Sequence, residues 1–255
     1  MRDAFIVAAV SLLAWPSLGR CEESHDRLIA AASYQDLPGS SGNTIGADFV
    51  RSSGPRVVSF GAETVSVADS HWSVVRGSFY RQLHGGADIL GSAAAGPGST
   101  SGDSFSYERL QAGATIPLMA DWRLVVRDTF IDVDPIRGHV LTLGASRRRG
   151  SATLQFDTSQ AVGGNIEQRS VGFRIDGRIR KSAVFAGGLV GDSNNRLLFN
   201  EPGAIGSVTK MHQAYAGVTV MLGKLDVTMT VDAATSGSVH RQSIGAVVGI
   251  PLGSR

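Results

Sequence analysis

Apolar and polar residues alternate along most of this chain, and residues 137–159 show the repeating unit. In the first half of this segment Leu141 and Leu143 share one face, and in the second half Leu154 and Phe156 do so. A basic turn of three arginines and a glycine separates the two halves. Successive side chains of a β-strand point to opposite faces, so each half has an apolar and a polar side. The segment is therefore predicted to be a β-hairpin.

The same alternation recurs from Thr44 onward and predicts about twelve strands, within a range of ten to twelve. It is sharpest between Val171 and Arg180, where apolar residues alternate with arginine and aspartate. One long arm is predicted from His71 to about Leu90. The Gly-, Ala- and Ser-rich segment 91–102 that follows lacks the contrast and is predicted to be an exposed loop.

The lengths of the connections add a second signal. Short connections are predicted at 69–71, 117–121, 147–150, 180–182 and 223–224, and longer ones at 91–104, 160–168 and 192–209. The two kinds alternate, although imperfectly. In outer-membrane barrels short turns face the periplasm, longer loops face outside, and the strand number is even. The fold class predicted is all-β, an antiparallel up-and-down transmembrane β-barrel with short periplasmic turns and both chain ends on the short-turn side.

Membrane physics assigns the two faces of this sheet. Hydrocarbon offers backbone groups no water, so a spanning sheet must close on itself, with an apolar outside and a lumen that can be polar. An arginine turned to the lipid at the midplane would cost about 2–4 kcal/mol. The charged faces are therefore predicted to line the lumen, either as a charge ladder filling a narrow barrel or as a conducting pore. The predicted lumen-lining residues are Arg123, Arg127, Asp157, Arg174, Asp176, Arg178, Asp226 and Asp232.

In this pattern the chain resembles bacterial outer-membrane β-barrel proteins over residues 44–252. More loosely, its repeated short hairpins look like the barrels that accompany exopolysaccharide export. The resemblance implies contact with outer-membrane lipid, and polysaccharide or small solutes as further partners. The chain departs from the family by ending at Arg255 instead of an aromatic residue and by having few Tyr and Trp for the aromatic girdles. A soluble periplasmic β-barrel is the alternative localisation.

The N-terminus predicts export from the cytoplasm. Arg2 precedes an apolar run that ends at Ala14, and small residues follow, as in a secretory signal peptide. The predicted division is a signal peptide at 1–19, an N-terminal tether at 20–43 and the barrel at 44–255. Cys21 is the single cysteine, so no internal disulfide can form. Acylation of Cys21 is an alternative to a free thiol, although Arg20 stands where a lipobox has a small residue.

Composition excludes several classes of function. Lysine and arginine number 24 against 22 aspartates and glutamates, and no basic stripe with stacking aromatics is present, so nucleic-acid binding is not predicted. The histidines show no metal-ligand spacing, and no Gly-rich segment has the form of a nucleotide-binding loop. No metal and no cofactor are predicted.

Catalysis has one candidate pair, His240 and Ser243. Lipid-hydrolysing barrels use a histidine to deprotonate a serine on the same strand face. A spacing of three places these two side chains on opposite faces of a regular strand. Enzymatic activity is therefore not favoured. The function predicted is a narrow channel or an accessory in surface polysaccharide export, with a lipid-modifying barrel enzyme as the alternative.

Overall fold

The computed structural model describes residues 25–253 except 69, 120, 134–135, 196–204 and 238. Within this part of the chain, fourteen antiparallel strands form one closed barrel in sequence order, and β1 closes the sheet by pairing with β14. The strands are β1 (His25–Leu37), β2 (Ser40–Ser53), β3 (Arg56–Val67), β4 (Ser70–Gln82), β5 (Asp88–Ser99), β6 (Ser104–Met119), β7 (Trp122–Val133), β8 (Ile136–Arg149), β9 (Ala152–Gly164), β10 (Gln168–Ile179), β11 (Ser182–Asn195), β12 (Ile205–Leu222), β13 (Leu225–Ser236) and β14 (Val239–Pro251).

The described residues contain no helix that is long and apolar enough to cross a membrane. The predicted signal peptide, the first part of the tether and Cys21 lie outside the described residues.

The strand count corrects the prediction of about twelve. The two additional strands are β1, within the segment predicted to be a tether, and β5, which begins at the end of the predicted arm and continues through most of the segment predicted to be a loop. The long arm predicted from His71 therefore divides into β4 and β5. The predicted loops at 160–168 and 192–209 are shorter than expected, because β9, β11 and β12 extend into them.

Both missed strands are rich in small residues, which hides their alternation. In β1 alanine occurs on the outer face at Ala30 and Ala32 and on the inner face at Ala31, so hydropathy does not distinguish the faces. In β5 both faces carry Gly, Ala or Ser. Pro97 also predicts a break, and the β4–β5 pairing is interrupted there, where the proline has no N–H to donate. Pairing of Pro97 with Ser106 nevertheless keeps β5 in the sheet on its β6 side.

The two ends of the barrel differ in what they carry. The terminal end holds the start of β1, the end of β14 and the connections β2–β3, β4–β5, β6–β7, β8–β9, β10–β11 and β12–β13. The far end holds the other seven connections, among them the predicted longer loops. The start of β1 and the end of β14 lie on the side where five of the six connections are two residues long, as predicted for the two ends of the barrel sheet. The connection near residue 69 was predicted on the short-turn side but lies at the far end, because the additional strand β1 precedes it and reverses the chain direction once more.

Large apolar side chains are exposed on the outer face of thirteen of the fourteen strands, and β5 contributes Ala93 and Ala95. Val171, Phe173 and Ile175 are half or nearly half exposed there, whereas the side chain of Arg174 turns inward with 12% exposure. This is the orientation predicted for a membrane barrel, because lipid covers such a surface and solvates no charge. Polar residues such as His71 and Gln160 continue the outer face toward the far end.

Candidate functional site in the barrel lumen

The register places all eight predicted lumen-lining residues on the inner face. The structure divides them between two regions. Asp226 and Asp232 belong to the filled sector, which we define as the inner face of β13, β14 and β1–β4. The other six belong to the open sector, the inner face of β5–β12. They are Arg123, Arg127, Asp157, Arg174, Asp176 and Arg178.

An ionic cluster crosses three strands of the filled sector. Arg76 of β4 forms a bidentate pair with Asp48 of β2, with Nε–Oδ1 and Nη2–Oδ2 distances of 2.9 and 2.6 Å. It also pairs with Glu63 of β3. All three side chains are at most 10% exposed. We call this set the ionic layer.

Glycine makes room for the ionic layer. Gly61 of β3 lies between Asp48 and Arg76 in the register, and a Cβ atom there would stand 2.2 Å from Asp48 Oδ1. Such a distance is far inside van der Waals contact, and the Ala47 carbonyl oxygen would be equally close, so a side chain at Gly61 would displace the carboxylate that binds Arg76. The three-strand charge cluster therefore depends on a residue without a side chain.

Two more ion pairs neutralise the predicted aspartates of this sector. Asp226 pairs with Arg27 of β1 at 2.5 Å across the closure of the barrel. Asp232 pairs with Arg241 and accepts a further hydrogen bond from Gln213. The Arg241 side chain is completely buried. The filled sector thus uses its charges to hold neighbouring strands together.

An apolar cluster occupies the lumen near the far end and is called here the far-end cluster. Its members come from six strands and one connection, and several have no more than 1% exposure. Side chains on a curved wall reach such burial only when they pack together in the lumen. Ile166 of the β9–β10 connection joins the cluster, and the Asn194 side chain donates to the Asn165 carbonyl at 2.9 Å and holds that connection in place. The members are Leu37, Val65, Val67, Trp72, Val74, Tyr107, Ile131, Val133, Ile136, Val140 and Ile166.

A cavity of about 740 Å³ occupies the open sector. It reaches from Gly150 and Ser151 in the β8–β9 turn, at the terminal end, to Val140 of the far-end cluster and Met211. Met211 is itself buried in a smaller apolar cluster. The lumen is therefore accessible from the terminal end and filled by apolar side chains toward the far end.

Arg174 of the cavity wall is held by an ion pair and by an aromatic ring. Its guanidinium group donates to both carboxylate oxygens of Asp176, at 2.6 to 3.0 Å, and lies 4.9 Å from the ring centre of Phe185. The Phe185 ring fits against Gly217, where a Cβ atom would stand 2.3 Å from it. The ring of Tyr215 follows at 6.4 Å. Aromatic rings therefore support this arginine from the wall side.

A second network anchors the longest terminal-end connection to the cavity wall. Arg123 pairs with Asp88 at 2.9 Å and donates to the Gly86 carbonyl of the β4–β5 connection. The Tyr80 hydroxyl donates to the other oxygen of Asp88 at 2.8 Å. Residues 83–87 are thus fixed at the cavity mouth by groups that also line it.

Arg127 differs from both of these arginines. Its Nε is buried without a hydrogen-bond partner, and no ion pair of its guanidinium group occurs among the described residues. Asp157 interacts with it electrostatically and accepts a hydrogen bond from Gln155 at 3.0 Å. Arg127 is therefore a cation of the cavity wall that has no carboxylate bound to it.

The candidate catalytic residues are separated by the sheet. The β13–β14 register runs without a shift and places Ser243 on the inner face, 3.4 Å from Asp232, and His240 on the outer face. No bulge brings the two together. Among the residues that the structure describes, no group of three or more His, Cys, Asp or Glu side chains could hold a metal ion.

Sequence reasoning missed the ionic layer and the partners of Asp226 and Asp232, which are Arg27 and Arg241. In β2 the exposed Ile45 and Phe49 alternate with Gly46 and Asp48 on the opposite face, and this alternation was a signal that could have placed Asp48 in the lumen. The pairing of Arg27 with Asp226 could not be found from sequence periodicity, because the two residues are 199 positions apart.

No protein-family model matches the chain, and no curated protein matches it in sequence. Solved structures match in fold. CymD, named as a monoaromatic hydrocarbon channel, superposes with a TM-score of 0.64 at 11% identity over 98% of this chain and 92% of its own. OccK7 (OpdD) and OccK3 (OpdO) of Pseudomonas aeruginosa give TM-scores of 0.47 and 0.48, both at 11% identity, over 91% of this chain and 100% and 96% of their own. A closed sheet with an apolar exterior is the architecture of a membrane-spanning barrel, and the chain shares this fold with CymD.

Proposed function

We propose that this chain is a narrow outer-membrane channel for small solutes. The observation that carries the proposal is the cavity of about 740 Å³ inside a closed barrel, whose lining includes charged and hydroxyl side chains beside apolar ones. A membrane barrel needs its closed sheet for backbone pairing, but it does not need a polar cavity of this size. The fold shared with CymD supports the barrel architecture.

The far-end cluster lies in the path that a solute would take through the lumen. The cavity is reached from the terminal end, which carries the start of β1, the end of β14 and most of the two-residue turns. In outer-membrane barrels the end with the short turns faces the periplasm. Solutes would cross toward the far end only when side chains such as Trp72 and Val140 move aside. The described conformation is the closed form of the proposed channel.

Planar-bilayer recording of the purified protein tests the proposal. We expect discrete current steps from the wild type. Replacing Trp72 by Ala should enlarge them, because the 4% exposed Trp72 ring occupies the lumen within the far-end cluster. The control is Trp122→Ala, since Trp122 is 36% exposed on the outer face. Charge reversal at Arg174 and Arg178, which line the cavity, should reduce the current.

Silence of both the wild type and Trp72→Ala in bilayers would contradict the channel. That outcome favours an accessory role in surface polysaccharide export, for which the structures compared above give no support. Cell fractionation distinguishes the soluble periplasmic alternative, because a membrane barrel is recovered with the outer membrane and migrates differently in gels before and after heating.

Among the described residues, the candidate pair for a lipid-modifying activity is separated by the sheet. His240 and Ser243 face opposite sides of β14, so the imidazole cannot receive the serine proton within the strand. The proposal therefore assigns no catalytic residue.

A further inference from the structure

We infer that the cavity selects small hydrophilic oxyanions, carboxylates or phosphates, and receives them at the terminal end. This inference rests on the proposed channel function and names its substrate class. It is carried by the charge balance of the wall, by the state of Arg127 and by the composition of the mouth.

Cations outnumber anions on the cavity wall. Six arginines line it, Arg109, Arg123, Arg127, Arg148, Arg174 and Arg178, against the three aspartates Asp88, Asp157 and Asp176. Asp88 is held by Arg123 and Asp176 by Arg174. Six cations and three anions leave an excess of three positive charges. A low-dielectric wall concentrates such a field in the lumen, where it attracts anions and repels cations.

Arg127 provides a guanidinium group for direct contact. The arginine fork matches the geometry of carboxylate and phosphate oxygens, and charge-assisted pairs of this kind are strong. Arg174 and Arg123 already bind aspartates, whereas Arg127 binds none among the described residues. On the inner face of β7, Val125 and Thr129 are the residues on either side of Arg127, and both line the cavity. An anion entering the cavity therefore meets a cation without displacing a carboxylate.

The mouth carries the same sign of charge. Arg148 and Arg178 line the cavity at the terminal end. The β8–β9 and β10–β11 turns and the residues beside them also expose Arg147, Arg149, Arg180 and Lys181. The neighbouring β6–β7 connection contributes one negative charge, Asp121. A basic rim around a basic cavity steers anions inward and raises their rate of entry. A neutral apolar solute gains nothing from this lining, since it cannot replace the water bound to guanidinium groups.

Uptake of two matched solutes into proteoliposomes tests the inference. D-gluconate and D-glucose are similar in size and hydrophilicity but differ by one negative charge. We expect wild-type vesicles to take up gluconate faster. In Arg127→Gln the ratio of gluconate to glucose uptake should fall by about threefold to tenfold, the upper value corresponding to about 1.4 kcal/mol. Arg148→Gln, exposed at the mouth, should lower the ratio without disturbing buried packing.

The control is Arg169→Gln, which removes the same charge from an exposed outer-face position of β10 near the far end, away from the cavity wall and the basic rim. It should leave the ratio nearly unchanged. Equal uptake of both solutes by the wild type, or a ratio that Arg127→Gln and Arg148→Gln leave unchanged, would overturn the oxyanion inference while the channel stands. Uptake of neither solute, together with silent bilayers, would contradict the channel itself. A reversal potential in a KCl gradient that indicates cation preference would also overturn the inference.

Discussion

The filled and open sectors of the lumen contain the same kinds of residue and use them differently. In the filled sector Arg76 binds Asp48 and Glu63, and Arg27 and Arg241 each bind an aspartate. In the open sector arginines exceed aspartates two to one on the cavity wall. The first sector uses opposite charges to join strands, whereas the second keeps cations available to the lumen. The difference teaches that an inward arginine is structural or functional according to its carboxylate partners.

The largest expected effect is the loss of Arg76. Arg76→Met would leave two carboxylates buried without their cation, and removal of one partner from a buried ion pair costs about 3–5 kcal/mol. Urea unfolding in lipid vesicles, followed by tryptophan fluorescence, measures the change in free energy of unfolding. Arg127→Met in the open sector is the comparison and should cost much less. Equal losses would remove the distinction between the two sectors.

A smaller loss is expected from a side chain at Gly61. In Gly61→Ala the new Cβ atom would overlap both Asp48 Oδ1 and the Ala47 carbonyl oxygen, and overpacking of this kind costs about 1–3 kcal/mol. Gly77→Ala is the matched control, because a Cβ atom at Gly77 would have only one neighbour, at 3.6 Å. The same unfolding measurement applies. Identical stability of the two variants would show that the ionic layer adjusts without cost.

Obstruction of the cavity should change transport but not stability. Thr153→Trp places a large ring on the cavity wall near the terminal end. We expect smaller current steps in bilayers and an unchanged free energy of unfolding. Ser59→Trp, on the inner face of the filled sector beside Ser78, should lower the free energy of unfolding and leave the current steps unchanged. Loss of stability in Thr153→Trp would indicate that the open sector is packed as tightly as the filled one.

The smallest effect is expected at the former catalytic candidates. Ser243→Ala removes a 3.4 Å contact with Asp232, and His240→Ala changes an outer-face position. Neither variant should alter the lipid composition of vesicles or cells, as measured by mass spectrometry. A change in lipid turnover that depends on both residues would restore the enzyme hypothesis.

The sequence by itself determined the all-β class, the apolar outer face and the inward direction of all eight predicted charges. Alternation is a local property, because each side chain's face depends only on its position along its own strand. The same rule failed for β1 and β5, where alanine, glycine and serine lie on both faces and hydropathy carries no contrast.

Only the tertiary structure decided which charges pair and where the lumen is filled. Arg27 meets Asp226, and the far-end cluster forms, because barrel closure and register bring distant strands together. The position of the cavity also depends on the tertiary structure, because side chains packed on the other side of the lumen leave this space unoccupied. A period of two assigns a side chain to a face, but contacts across the lumen depend on the shape of the closed sheet.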